Sequence, residues 1–498
     1  MTPFPPRTQP SGQRVFTHEA GDRDTALMIG LDFGSTTSRA LVARARMERS
    51  MTTGRMEFGS PDLLYRSEPV FTPFDGDELS RTRIIECIDC WLEESGIDCQ
   101  QIFSGGVIIT GLAAEQANAH VIAQAVRERI GHVIVATADD PCLESWLAFM
   151  GNSLELSRQE PQRPVINLDI GGGTTNPALG LDGNVLAAGS YFLGARHFRF
   201  QPGSYHLLGL SRYGRMVFER LGIDTAVGET LSASDVKAVV DFTVRGLEAI
   251  VTGETAWFAD DGFGAGLCQA PYNGEVHTLT DDTIITFSGG VGELLYRLVM
   301  GEELPGTTWY GDLGIDICRG IVESPLLSRS LYSHIPEFGG RATVYGLTLH
   351  SAELSGNTLY MPRPGQLPLH DLPIVARLTL DADAAALSSA VELACRSPNG
   401  ACIQAMIPEG EYPRFPQVKQ FGERLAGLLE NRPFPEDHPL LLLAPQDFGK
   451  VIGNYATRWG QLPVNLMAVD EVPDRPAEFV SLGAVRNYVI PVYFYGMH

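Results

Sequence analysis

Leu168-Asp169-Ile170-Gly171-Gly172-Gly173-Thr174-Thr175 is the stretch whose reading decides the fold of this chain. It closes an apolar run, Val165-Ile166-Asn167-Leu168-Asp169-Ile170, with the length and β-branched content of a buried strand. The carboxylate of Asp169 stands near the end of that run, and three glycines and two hydroxyl residues follow. Glycines let a backbone turn tightly and approach a ligand, so successive N–H groups can face one way as an anion nest. Taken alone, the turn equally suits a hairpin whose aspartate serves turn geometry.

The hairpin alternative weakens because the pattern occurs twice. Gly30-Leu31-Asp32-Phe33-Gly34-Ser35-Thr36-Thr37 again puts an aspartate at the end of an apolar strand, then glycine and small hydroxyl residues. Two such turns facing each other would clamp a polyphosphate, with Gly34, Ser35, Thr36 and Thr37 on one side and Gly171, Gly172, Gly173 and Thr174 on the other. Asp32 and Asp169 would then lie beside the phosphates and repel them. A hydrated Mg²⁺ between the carboxylates, held through its waters, removes that conflict. A third element, Phe287-Ser288-Gly289-Gly290-Val291-Gly292-Glu293, reads as a strand, a glycine-rich turn and a helix N-terminus. Such turns are common, but in third place Ser288, Gly289, Gly290, Val291, Gly292 and Glu293 suit a nucleotide base and its ribose. No G-x-x-x-x-G-K-[ST] loop is present, which argues against a P-loop NTPase.

Working outward, the first turn is followed by a helical pattern over residues 78–95, a strand at 107–109, a helix over 113–130, a strand at 132–136 and a helix from Pro141. The second is followed by a helix over 233–252 and a strand at 283–287, while the glycine-rich tracts 253–274 and 301–314 read as loops. Two copies of one α/β layout predict two lobes with a crevice between them. At 498 residues the chain is too long for one core. The expected division is an N-terminal tail over 1–24, a first lobe over 25–163, a second over 164–340, a connecting helix over 341–355 and a C-terminal α/β region over 356–498. That last region shows a βαβ pattern (440–443, 446–459, 464–469), and proline-rich stretches at 361–373 and 431–439 suggest its boundaries.

A net charge of −23 disfavours nucleic acid or an anionic membrane as partner. No run approaches the ~20 apolar residues of a membrane span, and the tail has no apolar signal core. Eight scattered cysteines fit reduced thiols in the cytoplasm. Cys87 and Cys90, a C-x-x-C pair inside a helical pattern, read as structural rather than metal-binding.

The three glycine-rich elements, in this order, resemble the actin/Hsp70/sugar-kinase ATPases. The resemblance implies two actin-like (RNase H-like) lobes, ATP with Mg²⁺ in the cleft, and connecting helices at about 141–151 and 342–355. It also implies a group that orients the attacking water: Asp169, or Glu144 at the start of the first connecting helix. Glu144 equally suits a carboxylate favoured by the helix dipole. Five stretches are similar to the ethanolamine ammonia-lyase reactivating factors: Ile108-Ile109-Thr110-Gly111, Pro141-Cys142-Leu143-Glu144-Ser145, Asn167 to Asn176, Arg341-Ala342-Thr343-Val344-Tyr345-Gly346 with Leu354-Ser355-Gly356, and Gln446-Asp447-Phe448-Gly449-Lys450. This implies a chaperone that uses ATP to exchange damaged cobalamin for adenosylcobalamin in the lyase. The cobalamin would belong to the partner, since no D-x-H-x-x-G ligand pattern is present here. A homodimer and association with a bacterial microcompartment stay open. Pro177 departs from the family pattern and suggests an edge strand or a broken ladder; Ala195 stands where a second glycine is expected, and 195–213 diverges. The rivals are a small-molecule kinase of the same fold and an actin-like filament protein.

Overall fold

The computed structural model of the chain describes residues 24–34, 37–51, 54–75, 78–109, 125–126, 128–130, 134–136, 141–272, 282–336, 342–350, 352–356, 358–408, 411–431, 438–475 and 477–497. The expected tail before Asp24, Ser35, Thr36, Thr110, Gly111, Arg341 and most of the helix expected over 113–130 lie outside the described residues.

In the first lobe β1 (Thr25–Phe33) and β2 (Thr37–Arg49) form an antiparallel hairpin. The expected helix begins later, as α1 (Arg81–Ser95), because Glu78–Leu79 pairs with Phe74–Asp75 as a short ladder. It buries Ile84, Ile88 and Trp91 and stops where Gly96, in the left-handed region, donates to the carbonyls of Leu92 and Glu93. β3 (Ile102–Ile109) runs parallel to β1, and β4 (Ile134–Ala136) parallel to β3. With Met56–Phe58 beside β2, the central order is 56–58, β2, β1, β3, β4. β1 and β3 are central strands covered on both faces, and they therefore read as near-continuous apolar runs.

After α2 (Pro141–Asn152) the layout repeats. β5 (Val165–Ile170) lies between antiparallel β6 (Thr175–Leu181) and parallel β8 (Ile284–Ser288), as β1 lies between β2 and β3; β7 (Asn184–Ala188) pairs with β6. α3 (Ala233–Thr252), α4 (Gly289–Val299) and α5 (Gly314–Glu323) also belong to this lobe. Pro177 is not on an edge: it faces Leu168 across the β5–β6 ladder. Its missing N–H points with its carbonyl, which accepts from Gly189 N at 3.0 Å, to the place where the partner of β6 changes from β7 to the Ser190–Tyr191 strand. The ladder is broken there in any case.

α2 packs on the second sheet, with Phe149 buried against Gly180 of β6. α6 (Ala342–His350) packs on the first sheet, where Thr348 Oγ1 would lie 2.1 Å from a methyl at Gly30. The helices cross at glycines: a methyl at Gly151 would stand 1.9 Å from Ala342 O, and one at Gly346 would stand 2.0 Å from Leu147 O. The helix expected over 342–355 ends at His350, since Glu353–Leu354 instead pairs as a strand with β14 (Pro491–Met497).

The C-terminal region is larger than one βαβ unit. β9 (Leu369–Thr379), β10 (Ala401–Met406), β11 (Leu440–Leu443) and β12 (Leu466–Val469) are parallel, linked through α7 (Ala384–Arg396), α8 (Phe415–Asn431) and α9 (Gly449–Ala456). β13 (Ala477–Leu482), β14 and the Glu353–Leu354 strand extend them into one seven-stranded sheet. α8 and β11, which flank the stretch 431–439, both belong to this region, so no boundary falls there, residues 432–437 themselves lying outside the described residues; the helix expected over 446–459 is shorter. The region docks on the first lobe through a two-pronged pair of Arg49 with Glu471, both bonds 2.9 Å, and through Tyr493 Oη to Ser104 Oγ at 3.2 Å. None of the eight cysteines is in a disulfide, and among the described residues no helix is long and apolar enough to cross a membrane.

Candidate functional site

Asp32 is the penultimate residue of β1 and Asp169 of β5, at equivalent positions of the two sheets. In each hairpin the residue two places on closes the turn by the same bond: Gly34 N donates to Thr37 O at 3.1 Å, and Gly171 N to Thr174 O at 2.9 Å. Those two amides are consumed by turn geometry, so any anion nest must use the N–H groups that follow them. The second turn is braced from behind, where Ala195 N and Arg196 N donate to the carbonyls of Gly171 and Gly172. Gly194 presses so close that a methyl there would lie 2.4 Å from Gly172 O.

Both aspartates open into one cleft of about 310 Å³ between the lobes. Of the residues singled out in the sequence, Gly34, Thr37, Glu144, Gly171, Gly172, Gly173, Thr174, Gly289, Gly290, Val291 and Glu293 also line it. Ser288 and Gly292 do not. Ser288 is buried behind Asp169 and donates to its Oδ1 at 2.5 Å, while a methyl at Gly292 would meet the Phe287 backbone at 2.9 Å. Gly289 takes a positive φ of 76° with Ile170 O 2.6 Å from where its methyl would be. Only glycine fits that step from β8 into α4. Ser35 and Thr36 lie outside the described residues.

Burial dominates the electrostatics. Asp32 is pushed up to about 7 by desolvation and by the neighbouring Asp169, with Arg39 opposing. Asp169 is pushed up to about 6 by desolvation, against the Ser288 hydroxyl, Arg39 and the Thr343 hydroxyl. Asp32 Oδ1 is closed off from solvent and has no hydrogen-bond partner among the described residues. A buried, unpartnered carboxylate oxygen facing a second carboxylate is a poor arrangement without a cation. The pair suits Mg²⁺, which is often held by one or two carboxylates plus waters and substrate phosphates. Among the described residues no cluster of three or more potential ligands is present.

Several lining residues were not singled out as site residues in the sequence. Arg39, the register partner of Asp32, reaches Glu293 across the cleft at 2.9 Å. Thr343 at the start of α6 touches Asp169. Asp312 is buried, accepts from Gly314 N at 3.0 Å and is pushed up by desolvation, with Arg196 nearby opposing. Their positions depend on chain reversals that no local pattern reports.

Two sheets of matching topology, joined by crossing helices, with two aspartate-headed glycine turns in the crevice between them, define an α/β protein of the actin-like fold. Within that class, the chain belongs to the family described as ethanolamine utilisation protein EutA, whose family model matches residues 24–495. It is 29% identical over 483 residues to the ethanolamine ammonia-lyase reactivase EutA of Salmonella typhimurium, covering 94% of this chain and 97% of that one. It is 29% identical over 481 residues to the protein of the same name from Escherichia coli, with the same coverage. Among solved structures, an Aquifex aeolicus member of the Ppx/GppA family aligns at 16% identity over 65% of this chain and 87% of that chain, with a TM-score of 0.32.

Proposed function

We propose that this chain is an ATP-dependent reactivating factor for ethanolamine ammonia-lyase, helping the lyase exchange damaged cobalamin for intact adenosylcobalamin. The name and near full-length match of its relatives support the partner. The observation that carries the nucleotide reading is the convergence of Asp32 and Asp169, each heading a turn closed by the same bond, on one cleft. In this reading the turns 34–37 and 171–174 hold the phosphates and 289–293 bounds the nucleoside side.

Bound Mg²⁺ would supply charge neutralisation on the phosphates beside Asp32 and Asp169. Asp169, oriented by Ser288, and Glu144, on the first turn of α2, are the groups placed to orient a water. Glu144 and Thr343 sit at the starts of α2 and α6, which touch through glycines and carry the two sheets. A change at the phosphates therefore reaches the packing between lobes, the kind of two-state element a chaperone cycle needs. Cobalamin belongs to the lyase in this scheme.

The test is recovery of cyanocobalamin-inhibited lyase by the full chain with ATP, Mg²⁺ and fresh adenosylcobalamin, beside Asp169→Asn. Recovery that needs ATP and is lost in the variant supports the proposal. Recovery without nucleotide, or none with the wild-type chain, overturns it.

A further inference from the structure

Arg39 and Glu293 face each other across the cleft. Arg39 belongs to β2 of the first lobe and Glu293 to α4 of the second. Arg39 Nη2 meets Glu293 Oε2 at 2.9 Å, with the arginine side chain 8% exposed and the glutamate 39%. Two features set this pair apart from a structural ion pair. The Nε of Arg39 is buried and has no hydrogen-bond partner among the described residues, although the side chain lines the cleft. The same guanidinium faces both Asp32 and Asp169 and opposes the rise in their pKa values. A buried, under-bonded arginine beside glycine turns is suited to a two-pronged grip on an anion. Here part of its bonding capacity is held by a carboxylate from the opposite lobe.

We propose that Arg39 is shared between Glu293 and the phosphates of the ligand, so that the Arg39–Glu293 pair latches the lobes together until a polyphosphate takes the arginine over. This rests on the nucleotide reading above and adds a direction to it. For the Arg39 guanidinium, Glu293 competes with the phosphates of the ligand. Glu293 is open to solvent and can be rehydrated on release, which makes its exchange for a ligand anion cheap enough to serve as a switch. Once Arg39 turns to the phosphates, α4 is uncoupled from β2 and the second lobe is free to move against the first.

The sign of one substitution tests this. Glu293→Gln, at a half-exposed site, should bind Mg²⁺–ATP about 2- to 5-fold more tightly than wild type by calorimetry. It should bind inorganic tripolyphosphate more tightly too, because that probe has no ribose. Arg39→Gln should weaken both by about 10- to 100-fold. Adding Glu293→Gln to Arg39→Gln should then give no gain, because the arginine it would release is gone. Should Arg39→Gln fail to fold, Glu293→Gln with the two probes still decides. Weaker ATP binding by Glu293→Gln, or unchanged tripolyphosphate binding, overturns the latch and leaves the nucleotide site standing. A wild-type chain that binds neither probe overturns the nucleotide site and the latch with it.

Discussion

Ser288 and Asp169 are register partners on β8 and β5, and the Ser288 hydroxyl donates to Asp169 Oδ1 at 2.5 Å. The bond crosses from the element proposed to bound the nucleoside to the turn proposed to hold phosphate, and it favours the ionised form of a carboxyl that burial drives toward neutrality. Asn167 Nδ2 holds Ser288 Oγ from the other side at 2.9 Å.

Ser288→Ala should therefore weaken Mg²⁺–ATP binding about 10-fold near neutral pH, the loss of a hydrogen bond to a charged group. Part of that loss should return as pH is raised and Asp169 ionises without help. A deficit that is the same at all pH values would show that Ser288 acts on the ligand directly.

Asp32→Asn removes a buried acid with an unpartnered oxygen. The ligand-free variant should melt higher than wild type above pH 7, by about 1–3 kcal/mol of stability. Added Mg²⁺–ATP should give it little or no further shift. Calorimetric melting with and without nucleotide checks both halves, and a lower ligand-free melting temperature would count against the strained carboxyl.

The two raised carboxyls also give a pH dependence. Asp32, at about 7, and Asp169, at about 6, hold protons in the folded chain at pH values where the unfolded chain has lost them. Their contribution to ligand-free stability is thus fully present below the ordinary aspartate value and lost as pH rises through about 6 to 7. Ligand binding runs the other way, because the cation needs both groups ionised. The stabilisation by Mg²⁺–ATP should grow from about pH 5.5 to about pH 8, with affinity rising up to about tenfold per pH unit for each proton released. Buried His197 and half-buried His350, both pushed down to about 4 by desolvation, pull stability the opposite way below their ordinary range, so the ligand-induced difference is the quantity to measure.

Gly346→Ala places a methyl 2.0 Å from the Leu147 carbonyl, backbone against backbone, where no rotamer can relieve it. Forcing α2 and α6 apart should cost about 1–3 kcal/mol, visible as a lower melting temperature. It should also reduce ATP-dependent recovery of the lyase beyond the loss of folded protein. A variant as stable as wild type would show that the helix crossing tolerates separation.

Much of this was legible locally. The turns at Asp32 and Asp169, the strands ending in them, α1 with its Gly96 stop and α3 over 233–252 all follow from patterns within a few residues. Where local reading fell short, a partner distant in sequence decided. β14 captures Glu353–Leu354 and shortens α6, and a change of neighbouring strand accommodates Pro177 inside the sheet; the delay of α1 is the local exception, where Leu79 pairs with nearby Phe74.

The sequence by itself determined the repeated strand–aspartate–glycine units, because backbone freedom and strand burial are written in adjacent residues. Only the tertiary structure decided that Arg39 meets Glu293, that Ser288 supports Asp169 rather than lining the cleft, and that Thr343 reaches the same carboxylate. Those contacts join residues more than a hundred positions apart. The Ser288 contact needs only β8 laid beside β5 in one sheet, whereas the contacts of Arg39 and Thr343 form only when the crossing of α2 and α6 fixes how closely the two sheets approach.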